Sequence, residues 1–182
     1  MDALTHNIEA YLAKGYNPMC DGIALEGIQI IWNSLEQAVT NPDKHSRSQM
    51  MMASLMGAVA FQKGLGIVHS LSHPLSTLLD MHHGLANAVN LPYGLDYNYP
   101  NCKDRFNKIA GQIHITDGIN LSSAIRELNN RLGLPANLKE CGVQLDHIQE
   151  LSNLAAIDFC LPLNPRKANV EDIKKIYLEA LE

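Results

Sequence analysis

The sequence has no excess of positive charge. Its 182 residues include 14 lysines and arginines against 19 aspartates and glutamates, which gives a formal net charge of -5 and an isoelectric point near 5.9. The basic residues are also scattered along the chain, whereas proteins that bind phosphate backbones concentrate them on one surface. We therefore expect no nucleic-acid partner.

The chain also lacks a long hydrophobic run. No apolar stretch approaches the roughly 18 residues that a membrane-spanning helix requires, and the acidic start at Asp2 is unlike the basic head of a signal peptide. Hydrophobic residues still make up 46% of the sequence, with a mean hydropathy of -0.10, which is enough for a well-buried core in a chain of this length. These features predict a globular, cytoplasmic protein with no membrane association.

Cysteine is scarce and forms no motif. The four cysteines are far apart, and none belongs to a C-x-x-C pair: Cys20, Cys102, Cys141 and Cys160. The sequence therefore offers neither a thiolate metal site nor a redox motif. Because no secretory signal is recognisable, we expect these thiols to be reduced and mostly buried.

The alternation of polar and apolar residues that is typical of a β-strand is missing as well. Apolar residues recur at helical spacing almost throughout, which predicts an all-α helical bundle in one domain, residues 1–182. Proline predicts a kink or interruption near Pro74 and a disturbance at Pro92, and Asn169 with Asp172 approximates a capping box. The predicted helices cover residues 2–14, 18 to a break at 41–43, 44–63, a stretch after 66, 84–97, 103–114, 120–132, 145–157 and 169–181.

The third predicted helix has an unusually smooth inner side. Its inner residues are small or flexible and would let another helix approach closely: Met50, Met51, Ala53, Ser54, Gly57, Ala58 and Ala60. Methionine commonly fills irregular gaps in a core, so this interpretation is favoured over a cofactor site.

Histidine is the residue type whose positions are most informative. His69 and His73 lie four residues apart in an apolar run, and His83 follows nearby, so these imidazoles can converge on one point. At the start of the chain Asp2 and His6 are also four residues apart, which places them on one face of a helix. Because imidazole is the commonest protein ligand for mid-series divalent ions, the pattern favours a metal site.

A single histidine on an apolar helix face is more often a hydrogen-bonded core residue than a ligand. Three such histidines together with the Asp2 and His6 pair favour the metal site over that simpler interpretation. The histidines at 45, 114 and 147 stand on polar stretches, and we predict that they lie on the surface.

Longer segments around these residues resemble a known family. Residues 2–11, Asp-Ala-Leu-Thr-His-Asn-Ile-Glu-Ala-Tyr, are similar to the D-A-x-x-H-x-x-E-A-Y opening of the C-terminal helical domain of iron-containing (group III) alcohol dehydrogenases. That superfamily also contains glycerol dehydrogenases and dehydroquinate synthases. The similarity continues at residues 57–61 and 64–75, is clearest at 83–93, and returns at 164–173. It covers essentially the whole chain and implies the helical fold of that domain.

The resemblance implies a particular metal site. Carried over residue by residue, it implies one carboxylate and three imidazole ligands for Fe2+, or alternatively Zn2+: Asp2, His6, His69 and His83. It also places His73 beside the substrate as a catalytic residue that does not bind the metal. His82 is the alternative to His83, which is favoured because Gly-Leu-Ala-Asn follows it directly.

The resemblance also implies an activity, the transfer of a hydride between a small alcohol or aldehyde and NAD or NADP. The sequence has no G-x-G-x-x-G loop and no βαβ pattern, so we expect the family's N-terminal dinucleotide-binding domain to be absent from it. These residues would then hold the metal half of an active site and be inactive alone. Without the partner domain, an apolar cleft wall around Leu71, Leu75 and Phe61 would be exposed and would favour homo-oligomers.

Two other functions are compatible with the pattern. A helical module can bind a divalent metal without catalysing a reaction, and an interaction module can pack the same histidines without any metal. Metal analysis separates the interaction module, which binds no metal, from the two metal-binding functions. Restoring a nucleotide-binding half separates the enzyme, which then turns over, from the metal-binding module that catalyses no reaction.

Overall fold

The structure, a computed structural model, describes residues 1–182 and contains helices and no strands, which confirms the all-α prediction. Every predicted helix is present, and its ends differ by a few residues at most. The nine α-helices are α1 (Asp2–Leu12), α2 (Pro18–Thr40), α3 (Lys44–Ala60), α4 (Ile67–Leu79), α5 (His83–Asn98), α6 (Lys103–Gln112), α7 (Leu121–Arg131), α8 (Ile148–Ala156) and α9 (Val170–Leu181).

Side-chain caps fix the starts of three helices. Asn17 caps α2, whose first residue Pro18 needs no hydrogen-bond partner for its nitrogen. Asp43 caps α3, and Asn169 forms the predicted capping box with Asp172 at α9. These local signals explain why the helix starts were predictable.

The prolines do not interrupt their helices. Pro74 lies inside α4 and Pro92 inside α5, and both helices continue through them, so of the predicted kink or interruption near Pro74 the interruption is wrong. Pro74 lies next to the fully buried Leu75. The free energy gained by burying apolar side chains of α4, such as Leu75, offsets the loss of the hydrogen bond that a proline removes from a helix.

Helix α1 lies at the centre of the helices that bring the candidate ligands together. It contacts α2, α3 and α5, and α4 in turn packs against α5 and α8. Leu4 and Ile8 of α1 are completely buried, as is Leu71 of α4. The start of α1, the first turns of α4 and the start of α5 are thereby brought to one place.

Helix α3 confirms the predicted inner side only in part: Met50 is partly buried against the core, whereas Met51 is 74% exposed and Ser54 is also exposed. A Cβ atom on Gly57 would lie only 2.8 Å from Nδ2 of Asn7 on α1. At this separation only small side chains fit between the two helices, and helical spacing places Met51 on a different face of α3. The residues that α3 buries are small: Ser46, Ala53, Gly57 and Ala60.

All four cysteines are free thiols. Cys20 and Cys160 are buried, whereas the other two are only partly buried. Burial raises the pKa of the Cys102 thiol to about 11, so this thiol is a poor nucleophile near neutral pH.

No single helix is long and apolar enough to cross a membrane. Residues Lys44–Lys63 and Ile67–Leu79 satisfy the length and composition only when they are taken together, and these two segments are bent by 107°.

Candidate metal centre

Four side chains from three helices meet at one point: Asp2 and His6 of α1, His69 of α4 and His83 of α5. One potential ligand atom from each lies within 4.8 Å of the others. His6 Nδ1 is 3.5 Å from Asp2 Oδ2, and His83 Nε2 is 3.7 Å from Asp2 Oδ1. The centroid of the His69 ring is 4.6 Å from that of His6 and 5.4 Å from that of His83. The structure therefore brings together the four residues that were singled out from the sequence.

Close helix packing makes this convergence possible. Asp2 and His6 share one face of α1 because they are one helical turn apart. A Cβ atom on Gly57 would lie 3.1 Å from the Cβ atom of His6, and one on Gly84 would lie 3.4 Å from the Cβ atom of Asp2. Gly57 thus lets α3 approach the ligand-bearing face of α1 more closely than a side chain would allow, whereas the contact at Gly84 is an ordinary one.

The cluster favours the protonation states that a metal requires. Burial, followed by the charge of His69, lowers the pKa of His6. Burial likewise lowers the pKa of His83, although Asp2 opposes this. Burial alone would raise the pKa of Asp2, but the Asn87 hydrogen bond and the nearby imidazoles lower it. Neutral imidazoles and an ionised carboxylate are the forms that bind metal ions.

The chemistry of the donor set fits a divalent cation. Asn87 Nδ2 donates to Asp2 Oδ1 at 2.7 Å and lies 3.0 Å from His83 Nε2 and 3.3 Å from His69 Nε2. One amide with two hydrogens therefore faces one carboxylate oxygen and two imidazole nitrogens. One carboxylate and three imidazoles form a ligand set that suits Fe2+ and Zn2+ alike.

The two other histidines of this region lie outside the quartet. His82 precedes α5 and is exposed, and its ring is not among the side chains that converge in the cluster. The ring of His73 stacks on that of His83 with centroids 5.5 Å apart, and on Phe159 at 5.3 Å. His73 is thus adjacent to the candidate ligands and about 30% exposed.

A carboxylate that the sequence did not indicate holds His73. Asp158 Oδ2 lies 2.7 Å from His73 Nδ1, while its Oδ1 accepts hydrogen bonds from Ser70 Oγ and the Cys160 N–H. Burial alone would raise the pKa of Asp158, but the His73 and Cys160 hydrogen bonds lower it. Asp158 is 85 residues from His73, so no local spacing could have linked the two.

Glu9 is a second residue whose role the sequence did not indicate. It belongs to the segment that resembles the family, yet nothing in its spacing marks it as a site residue. Its side chain is 3% exposed and contacts Nδ1 of His69 at 2.7 Å. Its position between the buried residues Ile8 and Ala10 is the signal that could have identified it.

The expected apolar cleft wall is only partly present. Leu71 and Leu75 are completely buried, so the prediction that they become exposed is wrong. Both lie on the side of α4 that faces the core, where Tyr177 Oη donates to the Leu71 carbonyl. Phe61 is 36% exposed beside His6, and Phe159 is 77% exposed beside His73.

Known proteins resemble nearly the whole of this chain in sequence. The sequence profile of the "Fe-containing alcohol dehydrogenase family, C-terminal" matches residues 1–181. The 4-hydroxybutyrate dehydrogenase of Cupriavidus necator is 39% identical over 191 aligned positions, which cover 100% of this chain and 50% of that protein. The NADPH-dependent butanol dehydrogenase of Clostridium saccharobutylicum is 36% identical, with 97% and 48% covered.

A solved structure of 1,3-propanediol oxidoreductase superimposes with a TM-score of 0.94 at 35% identity, covering 99% of this chain and 50% of that one. The chain therefore spans about half the length of the curated relatives that it matches. The match of the profile to nearly every residue shows that this chain belongs to the iron-containing alcohol dehydrogenase family and corresponds to its C-terminal, all-helical part.

Proposed function

We propose that this chain is the metal-binding half of an NAD(P)-dependent alcohol dehydrogenase that oxidises a small alcohol or reduces an aldehyde. The observation that carries the proposal is the convergence of one carboxylate and three imidazoles from three helices. The names of the relatives, a hydroxybutyrate dehydrogenase and a butanol dehydrogenase, support the reaction class.

The residues that would hold the ion, Fe2+ or alternatively Zn2+, are Asp2, His6, His69 and His83. When bound, a divalent ion supplies a Lewis acid that polarises the C–O group of an alcohol or aldehyde. One carboxylate among four ligands leaves a net positive charge at the centre, which suits a substrate oxygen that acquires negative charge.

His73 is the residue of this chain that we assign to proton transfer. Because hydrogen bonds lower the pKa of Asp158, its carboxylate is the acceptor and Nδ1 of His73 the donor, which leaves Nε2 as a proton acceptor. The His73 ring lies against that of His83. Partial exposure lets Nε2 exchange a proton with water. His73 can therefore take up the proton that a substrate hydroxyl loses, or return it in the reverse direction.

The nicotinamide cofactor requires a part of the enzyme outside these residues. The chain contains no strand and no glycine-rich phosphate loop, whereas the nucleotide-binding unit that we expect is an α/β domain. We therefore propose that the isolated chain has little or no turnover. Its homo-oligomeric state and its cytoplasmic location remain predictions from the sequence.

Metal analysis of the purified chain tests the site. We expect one bound Fe2+ or Zn2+ per chain, and a loss of that ion in His69→Ala and His83→Ala. His82→Ala is the matched control, because it removes an adjacent imidazole that lies outside the quartet and should retain the ion. No bound metal in the unaltered chain, or equal loss in all three variants, would refute the proposal.

The catalytic part needs a second experiment. The metal-loaded chain is mixed with a nucleotide-binding half of a relative, and alcohol-dependent formation of NADH or NADPH is followed. Turnover that requires both halves supports the proposal. Tight metal binding without turnover in any such combination would instead support a metal-binding module without catalysis.

A further inference from the structure

Glu9 is a carboxylate that lies almost completely inside the protein. It belongs to α1, and its two oxygens point at the first turn of α4, more than 55 residues later in the chain. A buried carboxylate is costly unless donors surround it. The donors that surround Glu9 therefore indicate why it is there.

Three of these donors are backbone N–H groups. Glu9 Oε2 accepts from the N–H groups of Gly66 and His69 at 3.1 Å each, and Oε1 accepts from that of Val68 at 2.8 Å. The first N–H groups of a helix have no partner within it, and the helix dipole favours a negative charge there. Glu9 thus caps α4 from a different helix.

The fourth donor is the imidazole of His69. Its Nδ1 lies 2.7 Å from Glu9 Oε2, and a carboxylate oxygen with that many donors acts as an acceptor. The hydrogen of the neutral ring is therefore on Nδ1, which leaves a lone pair on Nε2. Nε2 faces the quartet, where it lies 3.3 Å from Asn87 Nδ2.

From this geometry we infer that Glu9 is a positioning residue for the metal centre: it holds His69 in the tautomer and orientation that present Nε2 to the other candidate ligands. The inference rests on the proposed metal-binding function. Glu9 also connects α1, which carries Asp2 and His6, to α4, which carries His69. One side chain therefore fixes both the ring of one ligand and the relative position of two ligand-bearing helices. Partners of this kind typically contribute about 10-fold to 100-fold to metal affinity.

Glu9→Gln is the principal test. The amide has the same size but no charge, and only one of its two terminal atoms accepts hydrogen bonds, so it cannot satisfy all four donors. The readout is the Zn2+ affinity measured by competition with a chelator, together with thermal unfolding of the metal-free protein. We expect a loss of affinity of about 10-fold or more.

Asn164→Ala is the matched control for a purely structural effect. Asn164 Oδ1 accepts from the Ile67 N–H at the same helix end at 3.0 Å, but Asn164 does not contact the imidazole of His69. We expect this variant to lower thermal stability at least as much as Glu9→Gln, while its Zn2+ affinity changes less than threefold. Equal affinity losses in both variants, or no loss in Glu9→Gln, would overturn the inference.

Nitrogen NMR of the metal-free protein, labelled with 15N-histidine, measures the tautomer directly, with His69→Gln used to assign the signals. At about pH 8 we expect the hydrogen of His69 on Nδ1.

If Glu9→Gln does not fold, Glu9→Asp replaces it, because its shorter carboxylate cannot reach both the helix end and Nδ1. If the unaltered chain binds no Zn2+, the proposed function is refuted. The tautomer of His69 still tests the role of Glu9 in that case, because a hydrogen on Nε2 would overturn that role.

Discussion

Substituting Gly27 by alanine is the sharpest test of how the structure holds α1 in place. A Cβ atom at Gly27 would lie 2.2 Å from Oδ1 and 2.7 Å from Cγ of Asn7, where ordinary contacts start at 3.4 Å. The Asn7 side chain is fully buried and donates to the carbonyls of Ala3 at 2.8 Å and Ala53 at 3.0 Å. The added methyl group must therefore displace an amide that links α1 to α3.

Three contributions determine the magnitude. Loss of two hydrogen bonds costs about 2 kcal/mol in total, and overpacking of a tight core site costs about 1–3 kcal/mol. Replacing glycine by alanine inside a helix stabilises the folded state by about 1 kcal/mol. The net loss is about 3 kcal/mol, which corresponds to a melting temperature lower by about 6–12 °C in a chain of this size.

Gly22→Ala provides the control, because Gly22 also lies in α2 but has no atom within 4 Å of the position that an alanine methyl group would occupy. We expect it to raise the melting temperature by about 2–4 °C. Thermal unfolding followed by circular dichroism, on metal-free protein, measures both variants. If Gly27→Ala is as stable as Gly22→Ala, the packing of Asn7 does not hold α1 as described.

Further outcomes follow from individual contacts. Tyr177→Phe removes a buried hydrogen bond of 2.6 Å to α4 and should lower stability by about 1 kcal/mol in urea unfolding; an unchanged midpoint would contradict this. Because burial lowers the pKa of His6 and of His83, protons compete with a metal for these two ligands at a lower pH than they do for free imidazole. Zn2+ affinity should therefore begin to fall at a lower pH than Zn2+ binding to free imidazole does, whereas a decline that begins at the same or a higher pH would be inconsistent. In a reconstituted enzyme, Asp158→Asn should lower kcat about 10-fold or more through His73 while metal affinity stays unchanged, and equal effects on both would refute the assigned role.

Much of the fold follows from local sequence signals. The helices were predictable because periodicity and caps act within a few residues, as at Asn17 and Asn169. Helical spacing also places Asp2 and His6 on one face of a helix, whereas the full set of four candidate ligands was implied by the resemblance to the family. His83 could be preferred over His82 from the sequence that follows it, and the structure leaves His82 outside the quartet.

The features that the sequence did not predict depend on which helices pack against each other in the tertiary structure. Met51 is exposed because its face of α3 does not pack against α1, and Leu71 is buried because it faces the core, where α4 packs against α5 and α8. The partners of His69 and His73 are Glu9 and Asp158, which are 60 and 85 residues away. No periodicity connects residues at such distances, so only tertiary structure can pair them.

Helix α1 carries two candidate ligands in its first turns, where helices commonly fray, and Met1 provides no side-chain cap. Contacts with α4 and α5 hold α1 in place on either side of His6 and so oppose this fraying. Near the start, Asn87 of α5 donates to Asp2, and farther along, Glu9 binds the first turn of α4. An ion bound by the quartet would join the same three helices. Metal binding and the docking of α1 are therefore linked, so each contact that orders α1 also raises metal affinity, and saturating metal stabilises the fold in return.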